Sequence, residues 1–584
     1  MDLYKQRKEL NLSKIADSVL KKWKKNNTFK KSVSNRAGNK PFVFFEGPPS
    51  SNGLPGIHHV MGRTIKDVFC RFKTLKGFQV NRKAGWDTHG LPVELGVEKE
   101  LGITKEDIGV NISIEDYNSA CKEAVMKYTN VWDDLTSKMG YWVDTEDPYI
   151  TYENKYMESV WWLLKQAFDK GLIYKGYSVQ PYSPMAGTGL SSHEINQPGC
   201  YRNVKDTSIT AQFKIKNNNS SVFGGKENVY LLAWTTTPWT LPSNTALAVN
   251  NNMDYVVVKT RNQYTDEEVV VITAEKLLKK VFSSPYVAFK NLNNKEKQIS
   301  YEVIKKIKGE ILVGTFYHQL MPLAQPAEFP EKAFRVIHGD FVSTEEGTGI
   351  VHIAPTFGAD DAKVAIDAGI PSMLVKNSLG DLVPLVNLKG AFVDGLGELS
   401  GKFVKEAYYQ IKDPNRKPLD VEIAIALKEE NKAFRIEKYE HSYPHCWRTD
   451  KPILYYPLDS WFVKVSAFKK TMAELNKKIN WKPTSTGSGR FGNWLENAND
   501  WNLSRSRFWG IPIPIWRSED SKDVLCIGSI EELKKEIDFS IRNGHMIENP
   551  LENFQVNNNS KENYAFFDMH RSFVDKIILS SKNG

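Results

Sequence analysis

Cysteine is scarce in this chain, and long apolar runs are missing. The five cysteines, Cys70, Cys121, Cys200, Cys446 and Cys526, are odd in number, far apart, and form no CxxC pair. That spacing argues against a disulfide framework and for a reducing compartment. No stretch approaches the ~18 apolar residues of a membrane span, and the opening Met1-Asp2-Leu3-Tyr4-Lys5 has no apolar signal core. The expectation is a cytoplasmic protein with no membrane partner. Several nucleotide and metal signatures are absent too. No GxGxxG follows a strand, since Gly187-Thr188-Gly189 and Gly347-Thr348-Gly349 stop short of it. Gly401-Lys402-Phe403 lacks the leading glycine and the Ser/Thr of a Walker A loop. There is no HExxH and no paired zinc knuckle. Kinases, P-loop enzymes and simple dehydrogenases are therefore disfavoured. A strong charge of one sign is also lacking: 78 basic against 69 acidic residues leave +9, which permits a polyanionic partner without requiring one. The lysines at 21, 22, 24 and 25, and at 305, 306 and 308, read as solvated helix faces.

Length and aromatics are in good supply. At 584 residues the chain exceeds a single core, and ~100–200 residues per domain suggests three or four units. Fifteen tryptophans promise large buried rings or stacking surfaces. Residues 12–26 read as a helix with Ser13 as a cap, and 27–40 as a polar connection. Pro41-Phe42-Val43-Phe44-Phe45 reads as a buried strand, Met61 to Leu75 as a helix, and Phe78-Gln79-Val80 as a second strand. Amphipathic patterns follow at about 113–139 and 152–171. This alternation is that of an α/β fold with a parallel sheet. From about 203 to 405 the pattern changes to short β-like runs: Val229–Trp234, Tyr255–Val258, Val269–Ile272 and Gly349–Ile353. They read as an inserted, mostly β domain. Near 440 a Trp/Tyr/Pro-rich stretch begins. The Asn runs at 217–219 and 557–559 read as loop tips.

Between the first strand and helix lies Glu46-Gly47-Pro48-Pro49-Ser50-Ser51-Asn52-Gly53-Leu54-Pro55-Gly56-Ile57-His58-His59. Helix N-terminal amides and imidazoles together suit an anion such as a triphosphate. Glycines let backbone approach it, and prolines fix the loop. The plain alternative is an ordinary strand–loop–helix crossover with surface histidines. Four further motifs follow in order: Gly85-Trp86-Asp87-Thr88-His89-Gly90-Leu91-Pro92-Val93-Glu94; Trp234-Thr235-Thr236-Thr237-Pro238-Trp239 through Asn244; Gly347 through Pro355 with Asp360-Asp361; and Ser504-Arg505-Ser506-Arg507-Phe508-Trp509-Gly510. Together they resemble the class I aminoacyl-tRNA synthetases of the branched-aliphatic group, its isoleucyl branch most closely, over nearly the whole chain.

The resemblance implies a Rossmann-like parallel-sheet catalytic domain interrupted by an inserted β-rich editing domain. The expected organisation is an N-terminal helical extension at 1–40, the first half of the catalytic domain at 41–200, the editing domain at 201–420, and the return to the catalytic domain at 421–584. The implied reaction is ATP-dependent ligation of L-isoleucine to tRNA(Ile) through isoleucyl-adenylate, with magnesium accompanying ATP, in a monomer. Gly47, Gly53, Gly56, His58 and His59 would hold ATP, with His58 and His59 catalytic through phosphate contacts. The family signature is His-x-Gly-His; here Gly56-Ile57-His58-His59 exchanges its first and third positions, which leaves His58 either a substitute for the first histidine or a surface side chain. Asp87 would hold the substrate α-ammonium, its alternative being a helix N-cap with Thr88. Pro48, Trp461 and Trp501 would wall the branched side chain, though each indole alone reads equally as core.

An apolar pocket tells isoleucine from valine by only ~1–3 kcal/mol, so the resemblance implies hydrolytic editing of valyl-tRNA(Ile). Thr235, Thr236 and Thr237 would orient the terminal adenosine and a water. Asp361, with Asp360 beside it, would grip the ammonium, and His352 and Asn244 would block isoleucine or position the ester. Three threonines in a row are otherwise an ordinary strand end. Where some relatives carry two cysteine knuckles this chain has Ser183-Pro184-Met185-Ala186 and Cys446-Trp447-Arg448-Thr449; one thiol of four cannot make a structural zinc site, so no metal is expected there. The family's Lys-Met-Ser-Lys-Ser loop and anticodon-binding domain are not in the sequence. The expectation is an N-terminal fragment that keeps its editing domain and activates isoleucine weakly. Two other readings stay open: a freestanding hydrolase of mischarged tRNA, and a non-catalytic tRNA-binding module.

Overall fold

The computed structural model describes residues 10–44, 46–216, 223, 228–289, 298–377, 380–411, 413–519 and 522–581. The opening five residues, Phe45 and the Asn run at 217–219 lie outside the described residues. The chain divides into two compact units: Met1–Ile173 with Arg507–Gly584, and Tyr174–Ser506.

The first unit begins with α1 (Leu12–Asn26), capped by the side chain of Asn11, which accepts from Lys14 N at 3.0 Å. Asn11 takes the capping role expected of Ser13, one residue inside the helix. The stretch expected as a connection contains a second short helix, α2 (Thr28–Ser34). Among the described residues of this run, 41–44, Pro41 bridges Gln79 in parallel and Phe42 N donates to Gln79 O at 2.9 Å, while Val43 is 65% exposed. A single bridge of this kind is too short a ladder to make a strand. The parallel ladder of this unit instead joins β1 (Lys83–Trp86) to β2 (Asp144–Ile150), with Trp86 opposite Ile150. Gly85 is required there: a Cβ at that position would lie 2.2 Å from the Tyr149 ring.

α3 (Ile57–Leu75) stands between these segments, and α4 (Leu91–Leu101), α5 (Ile114–Val125), α6 (Thr129–Met139) and α7 (Asn154–Asp169) follow. α4 and α5 close on Trp509 around Val93, Val97, Tyr117 and Cys121. Met157 and Trp161 of α7 join Ile530, Leu533 and Ile537 in a second core. α3 buries only Arg63, Cys70 and Thr74, and leaves Ile57, Met61, Ile65, Val68 and Phe69 exposed.

The second unit is built on a ten-stranded mixed sheet among the described residues. The four expected β runs all enter it, as Val229–Thr235, Asp254–Arg261, Glu268–Ala274 and Val351–Ile353. Strands Tyr201–Lys214 and Ala433–Pro444 pair antiparallel along eleven residue pairs on one side. Its core is the largest among the described residues, with Val229, Leu231, Val257, Val271 and Ile272 fully buried. Near-continuous apolar strands of this kind are what a sheet covered on both faces requires. A smaller four-stranded sheet contains Leu454–Val463 beside Trp501–Asn502. Together the units give a mixed α/β architecture. No helix among the described residues is long and apolar enough to cross a membrane.

Candidate functional site

In the first unit the 46–59 loop is pinned from several sides. Glu46 accepts from Lys66 at 2.7 Å and from the Tyr141 hydroxyl, while its carbonyl accepts from the Tyr149 hydroxyl at 2.8 Å. Trp132 Nε1 donates to Gly53 O at 2.9 Å, and the Ser51 hydroxyl donates to Val125 O. α3 then starts at Gly56 as its N-cap. His59 Nδ1 accepts from Gly56 N at 2.9 Å, so neutral His59 carries its hydrogen on Nε2. Burial, with His58 and Arg63 nearby, lowers its pKa and favours that neutral form. The exchanged signature is sterically consistent: a Cβ at position 56 would lie 2.8 Å from His58 Cε1, so the ring of His58 fills space that glycine leaves. Both imidazoles thus sit on the first turn of a nineteen-residue helix, with His58 exposed and their ring centroids 3.8 Å apart. A donor array of that kind suits phosphate oxygens.

The loop after β1 is held against this one. Asp87 N donates to Pro49 O at 2.9 Å, which brings Pro48 and Asp87 onto neighbouring segments. α4 takes Gly90 as its N-cap, so Asp87 is not a capping residue. The Asp87 carboxylate accepts from the backbone N–H of His89, yet partial desolvation still raises its pKa above the usual value. It remains accessible and has no lysine or arginine partner among the described residues. An accessible carboxylate that is raised and unpaired is suited to a ligand cation.

Trp461 and Trp501 belong to the second unit. Val463 faces Trp501 across the strand pair, and Leu503 N donates to Trp461 O at 2.8 Å. That register puts the two indoles diagonally on one face of the pair; Trp501 is 55% exposed.

The second unit also holds a cavity of 330 Å³ at the end of strand Val229–Thr235. Thr235, Thr236, Thr237, His352 and Asp361 line it, whereas Asn244 and Asp360 do not. Asn244 is buried behind His352, and Asp360 is exposed on the helix Ala359–Asp367. The threonines are locked locally: Thr237 N donates to Thr235 Oγ1 at 3.1 Å, and the Thr240 hydroxyl donates to Thr237 O at 2.9 Å. Burial depresses the His352 pKa to about 3. Its neutral tautomer follows from its neighbours. The Tyr317 hydroxyl donates to Asn244 Oδ1 at 2.7 Å, which turns the Asn244 amide nitrogen toward His352 Nδ1 at 2.8 Å. Nδ1 therefore accepts, and Nε2 donates to Thr240 Oγ1 at 3.0 Å. With both nitrogens engaged, His352 shapes the wall and is not a free base. Asp361 accepts from Ala354 N at 2.8 Å, and burial pushes its carboxyl up to about 6, with Asp360 adding to the rise.

Several residues at these sites were not singled out from the sequence. Thr348 and Glu346 line the cavity, and a Cβ at Gly347, whose φ is +71°, would lie 3.2 Å from the Trp234 ring. The first two flank or lie within a quoted Gly-rich motif, which was the available signal. Trp132, Arg63 and His570 have no local motif that marks them, whereas Trp509 lies within the quoted Ser504–Gly510 motif. Among the described residues no group of three or more His, Cys, Asp or Glu is placed to hold a metal. Cys446 sits in a small apolar core with Leu190, Ile195 and Ile453.

Comparisons with known proteins agree with one another. The profile described as tRNA synthetases class I (I, L, M and V) matches residues 18–569. The chain is 57% identical over 596 residues to the isoleucine–tRNA ligase of Bacteroides fragilis, covering 99% of this chain and 52% of that protein. It is 58% identical over 589 residues to that of Cytophaga hutchinsonii, covering 99% of this chain and 51% of that one. For Porphyromonas gingivalis the identity is 54% over 595 residues, with 98% and 52% covered. The chain spans about half the length of the curated relatives it matches. With its profile match running over most of the sequence, the chain belongs to the class I tRNA synthetases of the I, L, M and V group.

Proposed function

We propose that this chain carries the amino-acid-activating and proofreading centres of an isoleucine–tRNA ligase, with L-isoleucine, magnesium-bound ATP and tRNA(Ile) as substrates. In this reading residues 41–200 and 421–584 form a Rossmann-like catalytic domain behind the 1–40 extension. Residues 201–420 form the editing insertion, and the protein works as a monomer in the cytoplasm. The isoleucine carboxylate attacks the α-phosphate of ATP, giving isoleucyl-adenylate and pyrophosphate. His58, His59 and the α3 amides donate to the phosphate oxygens as charge develops there. Gly47, Gly53 and Gly56 keep the loop backbone open to the nucleotide. Asp87 holds the α-ammonium, and Pro48, on the neighbouring segment, contacts the aliphatic side chain.

The observation that carries the activation reading is Asp87: an accessible carboxylate, braced by backbone on both sides and left without a protein cation. For the editing centre, Asp361 holds the ammonium of a misattached valine, and the threonine turn orients the ester and a water. Asn244 and His352 fix that turn, and Asp360 tunes Asp361 through its charge. The complete cavity in the second unit also favours a second reading, a hydrolase of mischarged tRNA without ligase turnover. The two are separated by assaying the chain for valyl-tRNA(Ile) hydrolysis and for isoleucine-dependent ATP–pyrophosphate exchange. Hydrolysis should fall by about 100-fold in Asp361→Ala, the effect of losing a charge-assisted contact made to the reacting substrate. Hydrolysis unaffected by Asp361→Ala contradicts the editing assignment; hydrolysis without any exchange favours the second reading.

A further inference from the structure

His570 is fully buried, and nothing in the proposed chemistry uses it. Its ring lies flat on Trp509, with centroids 4.4 Å apart and planes 9° from parallel. Its Nδ1 is bonded to the Asp568 carboxylate, and its Nε2 is 2.8 Å from Nε2 of His89. All of these residues lie in the first unit.

The hydrogens follow from what each atom can do. Burial alone would raise the Asp568 carboxyl, but the bonds and charge of His570 hold it below the usual range. The carboxylate is therefore ionised and only accepts, so His570 carries a hydrogen on Nδ1. Burial and the neighbouring His570 depress His89 to about 3, which keeps it neutral. Across the 2.8 Å between the two Nε2 atoms one imidazole donates and the other accepts. The ring of His89 is thereby fixed in one orientation. Its backbone N–H is the group that donates to the Asp87 carboxylate. The residue between them is clamped as well: Trp509 Nε1 donates to Thr88 O at 2.6 Å, and Thr88 N donates to Thr151 Oγ1 at 2.9 Å.

A histidine that only filled space would need neither an ionised partner nor a ring nitrogen aimed at the loop. We propose that Asp568, His570 and His89 form a positioning relay that aims the Asp87 carboxylate at the α-ammonium of the amino acid. None of the three touches the substrate; they act through the loop. The proposal rests on the role given to Asp87 above. The outer end of the relay is open, because Asp568 keeps 46% of its side chain exposed, with Lys122 3.9 Å away. Asp568 also lines a cavity of 630 Å³ beside the N-terminal turn of α7.

The test uses the whole chain with carbon-13 in its aspartate carboxyls, the Asp87 signal being assigned through Asp87→Asn. Two variants are compared with the parent: His570→Phe, which keeps a flat ring on Trp509 but loses both hydrogen bonds, and Asp568→Asn at the half-exposed end. The Asp87 carboxyl titration and the affinity for a non-hydrolysable isoleucyl-adenylate mimic are measured for each. Loosening the His89 N–H bond should move the Asp87 titration to higher pH in both variants and weaken the mimic by about 10-fold, the usual effect of losing a bond to a charged group. A changed melting temperature with an unchanged Asp87 titration and affinity would overturn the relay and leave His570 a packing residue. If the parent chain does not bind the mimic, the role of Asp87 fails while the titration still decides whether the relay positions it.

Discussion

Asp361 and His352 face one cavity with opposite relations to the proton. His352, at about 3, is neutral across the working pH range and makes two fixed hydrogen bonds. Asp361, at about 6, is ionised at neutral pH against the pull of its surroundings. A carboxyl raised in the fold destabilises the fold once ionised: the penalty is absent below its unfolded value near 4 and complete above about 6. Asp361→Asn retains an oxygen for the Ala354 N–H and removes the charge. Thermal or denaturant melting should therefore find this variant more stable by about 1–2 kcal/mol at pH 8 and equal to the parent at pH 4. Equal stability at both pH values contradicts the burial argument. The same residue should lose its grip on an ammonium as pH falls through 6, so stability and the proposed cation binding pull in opposite directions at this site.

At the scale of elements, the turn that follows the threonines is held by a buried ion cluster. The Pro238–Ser243 helical turn begins with Trp239 N donating to Asp420 Oδ1 at 2.9 Å. Lys405 lies 3.7 Å from the other Asp420 oxygen and 3.0 Å from Asp206, and its ammonium caps the Tyr443 ring. Burial pushes the Asp420 carboxyl up to about 6 despite the lysine. Removing one partner of a buried ion pair leaves an uncompensated charge, so Lys405→Met should destabilise the chain by about 3–5 kcal/mol. Lys405→Met combined with Asp206→Asn and Asp420→Asn should recover much of that loss, because no charge is then stranded. Denaturant unfolding of both variants checks this; a triple variant no better than the single one contradicts it. α3 shows the reverse case. Its apolar period makes the helix legible, but most of the apolar positions stay exposed, so periodicity alone identified the element and not the surface it buries.

For the molecule as a whole, the sequence made some levels readable and hid others. The β-rich region was visible because its strands are continuous Val/Ile runs, and all four quoted runs enter one sheet. The threonine turn, His352 and Asp361 were visible through motifs, and they meet around one cavity. Asn244 carried an equally good motif, but its place is behind the histidine, where it sets the tautomer and lines nothing. The run at 41–45 looked like a strand because apolar content says nothing about ladder partners, and among its described residues one bridge forms. The relay behind Asp87 was invisible for a different reason. His89 and His570 are 481 residues apart, so only the fold brings their rings together.

Asp87 is proposed as the anchor for an amino acid in the first unit. Calorimetric titration of the chain with the isoleucyl-adenylate mimic tests it most directly. Saturable one-to-one binding is expected, lost by about 100-fold or more in Asp87→Ala, as when a charge-assisted contact disappears, and unchanged in Asp361→Asn. No binding by the parent chain, or binding that survives Asp87→Ala, would contradict it.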